Sequence, residues 1–259
     1  MAYTSDLPMA DLRLKGMNKH FLKYAGFFST GTILAITSGI FFQRYFGRSR
    51  AKTHHSPPKQ QPGDSPFVEQ LAPENPLRQD LQTLDDGVGP LFYRRYQVRI
   101  RKARCSPADV MHGIRADINR FVPPELARFE KTLGHPQSFR AGDHHQIHIL
   151  GPWNGPVKTL HNTETHFVFG TRKGHLEAGE IHFKTHAPHR GELQFEIHSW
   201  SRSKDEWVDL AYDKIGVAQD AQTAMWVFFC KEVVKASGGE QQGDVDIFTE
   251  RRERETLTP

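Results

Sequence analysis

Between residues 91 and 103 the sequence LFYRRYQVRIRKA alternates. Phe92, Tyr96, Val98 and Ile100 fall on one parity, and Arg95, Gln97, Arg99 and Arg101 on the other, the period of a half-buried strand. The period then lengthens. Val110, Ile114, Ile118 and Phe121 mark one face of a helix, with Ser106 as N-cap and Pro107 in the first turn. Pro123 and Pro124 stop it, and PELARFEKTLG predicts a second short helix ending at Gly134. Strand-like runs follow at 145–150, 157–169, 179–185 and 192–200, with a weaker one at 206–212, joined by glycine-rich turns. Last, Val217, Ala221, Met225, Phe228 or Phe229, and Val233 trace an apolar stripe along a helix over 216–237.

Strand, helices, antiparallel meander and long terminal helix imply an α+β body. The meander has one apolar face and needs a cover, and the last helix is the element long and apolar enough to supply it. A curved antiparallel sheet gripping a long C-terminal helix resembles the helix-grip, START-like architecture, and that resemblance implies an apolar ligand held between sheet and helix. Tyr96, Val98, Ile181, Phe183, Leu193, Phe195, Ile197, Trp226 and Phe229 would line such a cavity. The same residues would equally fill a closed core, and periodicity does not separate the two.

Ahead of this body the pattern changes twice. Residues 24–43, YAGFFSTGTILAITSGIFFQ, carry no charge and have the length of a single transmembrane helix. Basic residues flank both ends, Lys23 before and Arg44 after, and a shorter signal-peptide core does not fit. Gly31, Ala35 and Gly39 share a helix face on which two copies could approach as a homodimer. Segment 1–23 has the basic character of a mitochondrial presequence, but Asp6 and Asp11 break that pattern. The expectation is therefore a single-pass membrane protein of undefined organelle. Segment 44–86 reads as a Pro-rich tether, 87–238 as the folded domain and 239–259 as a disordered polar tail.

Candidate chemistry concentrates in FVFGTRKGHLEAGEIHF, residues 167–183. The motif of Gly170, Thr171, Gly174, His175, Glu177, Gly179, Glu180 and Phe183, followed by Ser201 and Arg202, resembles the domain-of-unknown-function family DUF1990. Gln219 or Gln222 matches a glutamine near the end of that family's pattern. The resemblance implies a domain and no mechanism. His175, Glu177 and Glu180 could exchange protons near neutral pH, with Arg202 placing an anionic group. Alternatively the glycines shape a long hairpin, and Glu177 or Glu180 accepts backbone amides in the turn or pairs with Arg202. The second reading makes the hairpin a brace or a binding rim, with Ser201 and Arg202 beside it.

Composition narrows the field. Among 259 residues there are two cysteines, too few for a disulfide framework or a thiolate zinc site. Among the fifteen histidines, strand parity turns His182 and His198 away from the apolar face; two or three could meet across neighbouring strands on a metal, but no metal or cofactor is expected. A formal charge of +4 gathers partly in RRYQVRIRKAR, without the interleaved aromatics of a nucleic-acid surface. No nucleophile elbow or phosphate loop appears. The leading expectation is a membrane-anchored domain that binds an apolar or lipid-like molecule. An enzyme built on the hairpin, or a tethered interaction module with a filled core, are the alternatives.

Overall fold

The computed structural model describes residues 66–136, 139–149, 154–204 and 217–252. The expected span 24–43, with its Gly31, Ala35 and Gly39 face, lies outside these residues, as does the weak strand 206–212. No helix among the described residues is long and apolar enough to cross a membrane.

Eight strands form one antiparallel sheet: β1 Val88–Arg101, β2 Ala127–Leu133, β3 His144–Ile149, β4 Asn154–Asn162, β5 His166–Thr171, β6 Glu177–His186, β7 Glu192–Ser203 and β8 Glu240–Arg252. Their order is β2-β3-β4-β5-β6-β7-β1-β8. Strands β2 to β7 are a meander, and β1 enters between β7 and β8. Among the described residues two helices, α1 Pro107–Ala116 and α2 Val217–Ser237, cover one face. The expected antiparallel sheet covered by a long helix is therefore present, but the helix does not end the fold, because β8 follows it and joins the sheet beside β1.

Helix α1 starts where the sequence says. The Ser106 hydroxyl accepts the Asp109 amide, and the Asp109 carboxylate accepts the Ser106 amide. Val110, Met111 and Ile114 enter the core, and a 3₁₀ turn over Ile118–Phe121 carries the same face onward.

The inner face is an aromatic interior. Phe195 stacks on Phe229 of α2 at 5.6 Å between centroids, and Phe183 meets Phe229 at 5.4 Å and Trp226 at 5.7 Å. Tyr96, Val98, Leu193 and Ile197 are buried in the same cluster, with Ile181 packed against it. Side chains expected to line a ligand cavity thus touch one another across the sheet–helix space, as core residues do. On α2 the buried stripe runs through Trp226, Phe229, Cys230 and Val233, which places Phe229 rather than Phe228 inside.

Four expectations need correction. PELARFEKTLG is not a helix: Ala127 and Phe129 point inward opposite Ile149 and Ile147 while Arg128 and Glu130 are exposed, so pairing with β3 overrides the helical spacing. Run 157–169 is two strands separated by a turn at Thr163, whose amide reaches the His166 carbonyl. The supposed polar tail forms β8, where Val245 and Ile247 are buried and Glu240 pairs with Arg101 and Lys102. Its many polar residues disguise this alternation. Finally, residues 66–86 are a folded strap of three short 3₁₀ turns across the outer face, not a tether. Val68 and Leu81 of the strap pack on Leu160 and Val168 of the sheet.

The strap changes the meaning of outward parity. His182 and His198 do lie opposite the apolar set, yet they are 3 % and 1 % exposed. Around them Trp200, Tyr93 and Phe248 form a second, smaller apolar layer with Leu84 of the strap. Under the strap the outer face is a packed layer, whereas Arg99 and Arg101 farther along β1 remain exposed.

Candidate functional site

The hairpin β5–β6 is built by unusual backbone. Gly174 has φ of +100°, and Gly179 has φ of +150° with the Trp200 carbonyl 2.0 Å from where a Cβ would stand. Opposite this hairpin lies Gln82 of the strap. Its side-chain amide donates to the His175 and Glu177 carbonyls, and its side-chain oxygen accepts the Gly174 amide. The Thr171 hydroxyl donates to the Gln82 carbonyl at 2.8 Å. Thus the glycine-rich motif is a socket for one strap glutamine.

His175 is buried, and its Nδ1 accepts the Glu177 amide at 2.9 Å. Burial lowers its pKa, against the pull of nearby Glu177, so the ring is neutral at pH 7. Glu180 projects through the outer face. Its carboxylate accepts the amides of Phe67 and Val68, the latter at 2.9 Å, and meets His182 Nε2 at 2.5 Å. Burial holds His182 below its usual range, so the neutral ring donates through Nε2. Arg202 donates to the Gly89 carbonyl at 2.5 Å.

Glu177 projects the other way, into the space between sheet and α2. His175, Glu177 and Glu180 therefore do not converge, because the sheet separates the two carboxylates. Glu180 accepts backbone amides as one sequence reading anticipated, but they belong to the strap rather than to the turn.

Around Glu177 the inner face changes character. In the aromatic interior its positions are Ile181, Phe183, Phe195 and Ile197; towards the start of α2 they become Gly179, Ser199, Ser201 and Ser203. Small polar side chains replace bulky apolar ones. Arg94 enters here from β1, 4 % exposed, its guanidinium 4.6 Å over the Phe92 ring. Arg94 lies 3.9 Å from Glu177 and donates to Ser201 Oγ at 3.4 Å, and Ser201 donates to Glu177 at 3.3 Å. From α2, Gln222 Nε2 approaches the two Glu177 oxygens at 3.5 and 3.3 Å, while its Oε1 is buried with no hydrogen-bond partner. Tyr96 and Thr223 hydroxyls stand 3.5 Å apart at the edge of the group. Burial raises the Tyr96 pKa, so this phenol stays protonated.

Residues 136–227 match the family model DUF1990, a domain of unknown function. The DUF1990 match takes in Glu177, Ser201, Gln222 and Thr223 and leaves out Arg94 and Tyr96. No curated protein matches the chain. Among solved structures, the ZhuI aromatase/cyclase from Streptomyces sp. R1128 shares 9 % identity at a TM-score of 0.44, covering 57 % of this chain and 94 % of that one. Norcoclaurine synthase from Thalictrum flavum shares 12 % at 0.38, covering 59 % and 91 %. A hypothetical protein from Helicobacter pylori, jhp0584, shares 5 % at 0.42, covering 55 % and 86 %.

Sequence reasoning named Glu177 and Ser201 but missed Arg94, which it merged into a basic run. Its signal was parity: Arg94 falls with Phe92 and Tyr96, not with Arg95. The serines at 199, 201 and 203 were a second signal of the same kind.

Proposed function

We propose that this domain binds a small amphipathic molecule, apolar or lipid-like over most of its length, between the sheet and α2. Its polar head sits among Arg94, Glu177, Ser201 and Gln222, and its apolar part enters beside the aromatic interior by parting the packed contacts between the sheet and α2. The observation that carries this reading is the looseness of the inner cluster. Its contacts span 3.3 to 3.9 Å, whereas the outer-face pairs His182–Glu180 and His198–Glu196 close to 2.5 and 2.6 Å. Buried polar groups normally reach about 2.9 Å contacts. Groups that await a ligand are commonly long and underpaired without it. Ser199, Ser201 and Ser203 set small polar side chains here in place of the bulky apolar ones along the rest of the face.

Native mass spectrometry of the full chain, released from nonionic detergent, tests the reading. The wild type should carry a co-purified organic mass that the Gln222→Leu variant lacks. A bare wild type, or equal loading of both, would refute it. Attachment to a membrane through residues 24–43 is part of the proposal on the sequence pattern alone. Carbonate extraction of the expressed chain should leave it in the pellet, and release by deleting 24–43 is the matching control.

A further inference from the structure

Resting on the binding reading above, we infer that the head group received at Arg94 and Glu177 is electrically neutral and presents a hydrogen-bond donor beside an acceptor, as a primary amide does. The Arg94 and Glu177 side chains are 5 % and 16 % exposed, 3.9 Å apart, and their charges cancel. An anionic head would gain from Arg94 and lose to Glu177 at similar range, and would leave its own desolvation without a counter-charge. A cationic head meets the mirror-image difficulty. A neutral head meets neither.

The hydrogen-bond inventory then sets the head's polarity. Gln222 Nε2 faces the Glu177 carboxylate, and turning the amide over would set its Oε1 against those oxygens at about 3.3 Å. The orientation is thereby fixed, and the unpartnered Oε1 is an acceptor that needs a donor. Arg94 has five N–H groups, and its side-chain partners are Ser201 Oγ at 3.4 Å and Glu177 at 3.9 Å. It has donors to give to an acceptor. One small group with an N–H or O–H next to a C=O satisfies both without adding charge.

The probes are octanamide and octanoate, which share one tail and differ in head charge, titrated calorimetrically into the full chain at pH 8. Wild type should bind octanamide at least about fivefold more tightly, the lower end of what an unpaired buried group costs. Glu177→Gln leaves Arg94 uncompensated and should turn the preference towards octanoate. Equal affinities, or a wild-type preference for octanoate, would overturn the neutral-head inference while leaving the binding reading standing. Binding of neither probe by a folded wild type would overturn both. The wild-type ratio decides the matter even if the variant does not fold.

Discussion

Glu180→Ala separates the two carboxylates of the hairpin by role. In the native protein the Glu180 side chain is 1 % exposed and serves three donors: the Phe67 and Val68 amides and His182 Nε2. A hydrogen bond to a charged acceptor is worth about 1.5–3 kcal/mol, so three sum to roughly 4–9 kcal/mol. The full sum is not reached, because alanine also removes the desolvation cost of the carboxylate. The strap can in addition lift and rehydrate its amides. Lifting exposes Val68 and Leu81, each worth about 1.5–3 kcal/mol. The cheaper route sets the loss, about 3–5 kcal/mol. Urea unfolding of the full chain measures it, and hydrogen exchange at Val68 and Leu81 shows whether the strap opens alone. Glu180→Gln keeps one acceptor oxygen and should lose about half as much. A loss under about 1 kcal/mol, with strap amides still protected, would refute the assignment of Glu180 as the strap's anchor.

Gln222→Leu should leave stability within about 1 kcal/mol of wild type, since it gives up two long contacts and removes a buried unpaired oxygen. The same urea titration reads it, and a loss beyond about 2 kcal/mol would mark the cluster as a structural clamp. Gly179→Ala should prevent pairing of β6 with β7, seen as failure to fold or a loss above about 3 kcal/mol, because its Cβ would meet the Trp200 carbonyl. Stability should fall on acidification. Burial pushes His145 down to about 4 and His166 down to about 3, from an ordinary 6.5. The unfolded chain therefore binds protons first, and the stability these rings contribute is full above pH 6.5 and drains as pH drops towards 4 and then 3. Each adds a slope of at most about 1.4 kcal/mol per pH unit, and a stability flat between pH 7 and 4.5 would contradict it.

Much of this fold was legible because strand parity and helical spacing are local. The Ser106 cap, the face of α1, the inward set of β1 and the cover supplied by α2 all follow from period alone. What escaped depended on partners far along the chain. The β2 segment has apolar spacing that suits a helix, and only the register with Ile147 and Ile149 of β3 makes it a strand. The strap and β8 are polar segments whose few apolar residues matter because β4, β5 and β1 stand ready to receive them. The hairpin motif was legible as a motif, and its glycines as turn-formers. That Glu177 and Glu180 lie on opposite faces was within reach of the period-two argument, since the two positions differ in parity. Arg94 was hidden by chemistry: an arginine beside an arginine reads as surface charge until Phe92 and Tyr96 show which of the two points inward.

Ligand binding at the loosely bonded group around Glu177 is the reading on which the proposed function stands. It is tested most directly by nuclear magnetic resonance of the Gln222 side-chain amide and the Arg94 Nε–H in the full chain as octanamide is added. Saturable movement of both resonances, with those of Gln82 and His182 unmoved, is the predicted result. Binding that leaves Gln222 and Arg94 in place, or that moves only outer-face resonances, would contradict the account.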